Sequence, residues 1–127
     1  MNNFIYENRT KVYFGQGCVK EFLACLVRDA GNIMLAYGQG SVKRNGIYDE
    51  VLNILMKEGK HVTEFPGIMP NPTYQKVMEG ARLAREEKTE MILGVIVTTA
   101  GTGSECNGAA VITNEEQKVK TGHDYPK

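Results

Sequence analysis

The chain has 127 residues, 42% hydrophobic and 24% charged, with fifteen basic and fifteen acidic side chains. That length holds one domain with a modest core, and the cancelling charge points to no nucleic-acid partner and no anionic membrane surface. No apolar run is long enough to span a bilayer, and the N-terminus lacks the pattern of a signal peptide, which predicts a cytoplasmic protein.

Phe4-Ile5-Tyr6 and Lys11-Val12-Tyr13-Phe14 read as two short strands separated by a polar turn and closed by Gly15-Gln16-Gly17. The period then changes. Val19, Phe22, Leu23, Leu26 and Val27 recur at helical spacing and predict a helix that ends near Gly31. Cys18 and Cys25 in this region, with Cys106 near the end, are odd in number and lack metal-ligand spacing, so all three read as free thiols.

Asn32 to Tyr37 is a buried strand that runs into Gly38-Gln39-Gly40-Ser41-Val42-Lys43. A glycine pair between a strand and a helix is a place where backbone amides meet a phosphate. Lys43 stands where the third glycine of a G-x-G-x-x-G fingerprint belongs, so the standard dinucleotide motif is absent. No Asp or Glu follows this strand to hold a ribose 2′-hydroxyl, whereas Ser41, Lys43 and Arg44 offer a hydroxyl and two cations that suit a 2′-phosphate. The alternative is that Lys43 and Arg44 are simply solvated residues at a helix start.

Ile47, Val51, Ile54 and Leu55 mark one face of the next helix, which stops at Gly59, and His61 to Phe65 has the alternating character of a strand. Pro66, Gly67, Pro70 and Pro72 make the following connection rigid. Asn71 is expected to cap the next helix with Pro72 in its first turn, and Tyr74, Val77, Met78, Ala81 and Ala84 to form its buried face.

Met91 to Val97 is almost unbroken aliphatic sequence, the pattern of a strand covered on both faces. It gives way to Thr98-Thr99-Ala100-Gly101-Thr102-Gly103-Ser104-Glu105, a loop rich in hydroxyls and glycines. Open α/β sheets place ligands at such strand ends, although an ordinary Gly/Thr turn has the same composition. Ala109 to Thr113 and Lys118 to Lys120 then read as a terminal hairpin, followed by a polar tail. The alternation of strands and helices predicts an α/β fold: a parallel, Rossmann-like sheet with helices on both faces and a C-terminal β-hairpin.

Taken together, Phe14-Gly15-Gln16-Gly17, Tyr37-Gly38-Gln39-Gly40-Ser41-Val42-Lys43, Pro70-Asn71-Pro72 and above all Thr98 to Glu105 give the whole chain a resemblance to the iron-containing, or group III, alcohol dehydrogenases. It is most similar to their NAD(P)H-dependent butanol dehydrogenase branch. The resemblance implies that residues 1–127 are a partial dinucleotide-binding domain, with Gly38, Gly40 and Ser41 near the adenosine ribose. It further implies that Asn71 touches the cofactor and that Thr98, Thr99 and Thr102 line its nicotinamide half. NADPH is expected over NADH, on the strength of Ser41, Lys43 and the lack of an acidic partner.

Two departures from the family pattern stand out. Leu93-Gly94-Val95 runs straight into Ile96-Val97-Thr98, as though two strands were fused across a deletion that removes the Gly-Gly-Gly-Ser pyrophosphate loop. The helical domain that carries the Asp and three His ligands of the family's divalent metal, iron or zinc, is also missing, and His61 and His123 do not have ligand spacing. In the family that metal is a Lewis acid in hydride transfer between nicotinamide and a small alcohol or aldehyde. Two expectations follow. Either the chain is the nucleotide-binding portion of such an enzyme, or it is a catalytically silent fragment that binds nucleotide weakly or acts through self-association as a homo-oligomer.

Overall fold

The computed structural model describes residues 10–94 and 109–124. Nine elements follow one another: α1 (Cys18–Leu26), β1 (Asn32–Ala36), α2 (Ser41–Arg44), α3 (Ile47–Lys57), β2 (His61–Phe65), α4 (Tyr74–Glu86), β3 (Met91–Leu93), β4 (Ala109–Asn114) and β5 (Val119–Asp124). The first three strands form a parallel sheet in the order β2-β1-β3, and β4 and β5 form an antiparallel pair.

The central strand shows why the sheet needs helices on both sides. Ile33, Leu35 and Tyr37 point to one face and pack with Leu23, Val27, Val51 and Leu55, while Met34 and Ala36 point to the other and pack with Phe65, Leu83 and Ala84. Successive side chains of a strand alternate between faces, so an unbroken apolar run demands cover twice over. The α1–α3 side supplies one cover and α4 the other.

Several expectations are corrected. Residues 11–14 form no strand; Val12 and Phe14 are exposed, and the Tyr13 ring lies against Phe22 at 4.8 Å between centroids. Their expected partner, residues 4–6, lies outside the described residues. Helix α1 ends at Leu26 rather than near Gly31, because residues 27–29 already turn toward β1. The helix after Gly40 is two pieces, broken at Gly46, whose φ of 79° only glycine adopts without strain.

Helix α4 begins later than Asn71. Thr73, with extended backbone angles, is the N-cap, and its hydroxyl accepts from the Lys76 amide at 3.2 Å. The face expected to be buried is largely open: Tyr74, Val77 and Met78 are 50%, 42% and 43% exposed. Strand β3 lies at the edge of the described sheet, with Ile92 59% exposed, and the expected continuation of the strand over residues 95–97 lies outside the described residues. The reason is common to both: among the described residues, no strand pairs with the outer edge of β3. The hairpin is longer than expected, since β5 continues to Asp124 and draws in part of the tail that reads as loop.

Candidate functional site

Strand β1 connects to β2 through α2 and α3 on one face, and β2 connects to β3 through α4 on the other, with β3 returning beside β1. The carboxyl ends of β1 and β3 therefore flank a topological switch point, where open α/β sheets bind ligands. Beside it, at the adjoining carboxyl ends of β1 and β2, two segments meet. The Ile68 amide donates to the Tyr37 carbonyl at 3.2 Å, and the Gly67 amide to the Gly38 carbonyl at 3.3 Å. The loop leading to Asn71 is thus laid against the turn leaving β1.

This contact gives Gly38 a structural task, since a Cβ there would lie 3.2 Å from the Ile68 carbonyl oxygen. Gly40 is different. A Cβ on it would meet only the Arg44 guanidinium, at 3.1 Å, so that cation lies over the turn. Helix α2 is one turn long, and the Ser41 amide is taken by the Gln39 carbonyl at 2.7 Å. The expectation of a phosphate at a helix N-terminus loses its helix there, because a single turn aligns too few peptide dipoles. Side chains, not a macrodipole, carry the charge of this turn.

Lys43 sits in a cluster that the sequence reading did not assemble. The Tyr37 hydroxyl donates to Glu64 Oε2 and the Tyr48 hydroxyl to Glu64 Oε1 at 2.8 Å. Lys43 Nζ lies 4.0 Å from the same carboxylate, 4.4 Å above the Tyr48 ring and 5.3 Å from the Tyr37 ring. The two rings meet edge to face at 5.6 Å. Hydrogen bonds from Tyr37 and Tyr48 hold the Glu64 carboxyl below its ordinary range. Burial, with Glu64 beside it, pushes the Tyr37 hydroxyl up to about 12, and the bond to Glu64 raises Tyr48.

Glu64 corrects the premise that no acid serves this turn. It is the last residue but one of β2, beside Leu35 of β1, at the kind of position where dinucleotide folds carry an acid roughly 20 residues beyond the first turn. The signal was present in the sequence as the last polar residue of a predicted strand. Only the register between β1 and β2 shows that it reaches Lys43.

Asn71 is placed by the hairpin. Its Oδ1 accepts from Lys120 Nζ of β5 at 2.8 Å, and next to it the Thr113 amide of β4 donates to the Pro72 carbonyl at 3.1 Å. Thr98, Thr99 and Thr102 lie outside the described residues, as does Cys106, while Cys18 and Cys25 are free thiols. Among the described residues no three His, Cys, Asp or Glu side chains come together to hold a metal. His61 instead faces Glu87 at 3.6 Å on the surface. These residues do not fit the ligand set of an iron centre. No helix of the described residues is long and apolar enough to cross a membrane.

A groove of about 610 Å³ lies elsewhere, between Lys20 and Ala24 of α1 and Glu50, Asn53 and Lys57 of α3. It runs along α1 and α3, and its lining is mixed in charge.

Residues 9–95 match the family model described as iron-containing alcohol dehydrogenase. A probable NADH-dependent butanol dehydrogenase 1 of Bacillus subtilis is 32% identical over 166 residues, covering 99% of this chain and 43% of the relative. The NADPH-dependent aldehyde reductase YqhD of Escherichia coli is 38% identical over 112 residues, covering 88% of this chain and 27% of that protein. The crystal structure of an NADH-dependent butanol dehydrogenase A from Thermotoga maritima superposes with a TM-score of 0.89 at 31% identity, over 98% of this chain and 42% of the other. The chain thus spans less than half the length of these relatives. The Bacillus subtilis match runs over more positions than this chain has residues, so that relative carries an internal stretch with no counterpart here.

Proposed function

This chain belongs to the iron-containing alcohol dehydrogenase family, and from that premise we propose that it is the nucleotide-binding portion of an NAD(P)H-dependent alcohol dehydrogenase, a partial dinucleotide-binding domain acting in the cytoplasm. The observation that carries the reading is the meeting of the Gly38 turn with the Gly67–Asn71 loop at the carboxyl ends of β1 and β2, beside the switch point of a parallel sheet. In this reading Gly38, Gly40, Ser41 and Lys43 face the adenosine end of the coenzyme, Asn71 contacts it, and Thr98, Thr99 and Thr102 line the nicotinamide. Gly38 holds the loop in place, and Lys43 and Arg44 supply positive charge for a 2′-phosphate.

The coenzyme supplies the hydride, and the intact family passes it between nicotinamide and a small alcohol or aldehyde. This chain's part is to bind and orient the nucleotide. We propose NADPH as the preferred form. Relatives are named for each coenzyme, NADH for the Bacillus subtilis protein and NADPH for the Escherichia coli one, so the family alone does not select. Titration of the protein with NADH and NADPH, followed by nicotinamide fluorescence, tests both statements. Saturable binding with the tighter constant for NADPH is expected; no saturation with either rejects the nucleotide site, and tighter NADH binding rejects the preference.

A second reading is favoured by the open face of α4 and the edge of β3. Tyr74, Val77, Met78 and Ile92 are each between 42% and 59% exposed. Apolar area of this kind, and a strand edge that no described strand pairs, promote association of chains. A catalytically silent polypeptide that pairs with a second copy of itself would cover this surface. Metal analysis and an aldehyde-reduction assay separate the two: bound iron or zinc with turnover supports the enzyme, and neither supports the fragment.

A further inference from the structure

Lys43 lies in the one-turn helix that follows the β1–α2 turn, yet it is not presented to solvent as a lone charge. Its ammonium is 4.0 Å from Glu64 Oε2 and lies over two tyrosine rings. Glu64 is fixed in turn. Both of its oxygens accept tyrosyl hydroxyls, from Tyr37 on the β1 side and Tyr48 on α3, so the carboxylate cannot swing away without breaking two hydrogen bonds. Four side chains from four elements or their ends therefore hold one charge pair beside Gly38 and Gly40.

Taking this turn as the nucleotide site argued above, we propose that Glu64 sets the coenzyme preference by holding Lys43 against the two tyrosines, which offsets the lysine's charge and weakens its attraction for a 2′-phosphate. NADH carries no such group and is indifferent to the pair. NADPH must draw Lys43 away from Glu64 or bind with the carboxylate close to its own phosphate, and either course costs binding free energy. Glu64 is thus a specificity-determining residue that acts through Lys43. The chain is poised to accept both coenzymes, with a smaller bias toward NADPH than its basic residues alone would give.

The test is a cycle of variants read as the ratio of NADH to NADPH dissociation constants. Glu64→Gln keeps an oxygen acceptor for a tyrosyl hydroxyl and removes the charge, so the fold survives. It is expected to tighten NADPH roughly three- to tenfold, the range of a partly exposed ion pair and its neighbouring anion, and to leave NADH unchanged. Lys43→Gln weakens NADPH alone, and in that background Glu64→Gln has little further effect. Equal changes for both coenzymes overturn the proposal. So does a selective loss of NADH on Glu64→Gln, which would mean that the carboxylate holds a ribose hydroxyl directly. A full gain that persists without Lys43 overturns it as well. If the unaltered protein binds neither coenzyme, the nucleotide reading of the turn falls and the proposal falls with it; an unchanged ratio in a protein that binds both removes only the role of Glu64.

Discussion

Gly80 of α4 faces the ring of Phe65 so closely that a Cβ there would lie 2.9 Å from Cε1 and 3.1 Å from Cζ. Phe65 is buried at the end of β2, with Lys76 Nζ 4.3 Å over its ring, so the ring has little room to retreat. Helix propensity alone would favour alanine over glycine by about 1 kcal/mol. The clash opposes it, at roughly 1–3 kcal/mol for an overpacked core. Gly80→Ala is therefore expected to lower the thermal midpoint by a few degrees, and an unchanged or higher midpoint would show that the ring moves aside.

Helix α4 starts at a threonine hydroxyl. Thr73→Ala should cost about 1 kcal/mol in a urea titration, the usual loss for an N-cap. Asn71→Ala should cost less, since Asn71 caps nothing and its oxygen accepts from Lys120. Equal losses would move the cap back to Asn71.

Acid should destabilise the fold. The Glu90 carboxylate, which accepts from the amides of Gly31 at 2.5 Å and Asn32 at 3.0 Å, is held below its ordinary range by those bonds, as Glu64 is by its tyrosines. A carboxyl whose folded pKa is depressed contributes stability above its unfolded value, near 4, and loses it as pH falls through the folded one. Glu90→Gln should accordingly have the lower thermal midpoint at pH 7, with the gap to the parent closing toward pH 3. At the other extreme Tyr37, raised to about 12, contributes stability below about pH 10 that disappears as pH climbs through that interval.

The uncovered face of α4 predicts association. Sedimentation of the protein at rising concentration is expected to show a growing dimer fraction, and Met78→Glu, on the open face, to reduce it several-fold. A monomer at every concentration, or a dimer indifferent to Met78→Glu, counts against pairing through this surface.

Local pattern made the sheet legible. Residues 32–37 announce a strand that needs two covers, and the helical spacing of Val51 and Leu55 announces one of them. What the pattern could not show was which neighbours exist. Val77 and Met78 have the spacing of a buried stripe whether or not anything lies opposite, and Met91 to Leu93 is apolar whether it is a central strand or an edge. The Thr73 cap was hidden because Asn71-Pro72 is the stronger local signal, while loop packing and the hairpin decide where the helix begins. The Tyr37–Glu64–Tyr48–Lys43 cluster was illegible for a similar reason. It requires the register of Leu35 beside Glu64 and the entry of α3 above them, neither of which any stretch of sequence encodes alone.

The hairpin is fastened at the foot of α4. Thr113 to Pro72 and Lys120 to Asn71 are its moorings, and neither touches the sheet edge at Leu93. Leu93 and Ala109 are thus held by different parts of the fold, Leu93 by β1 and Ala109 by β5. Because the entropy of closing a loop grows only logarithmically with its length, the moorings of the hairpin depend little on how long a chain joins β3 to β4. A longer segment between Leu93 and Ala109 would therefore leave the hairpin seated on Asn71 and Pro72.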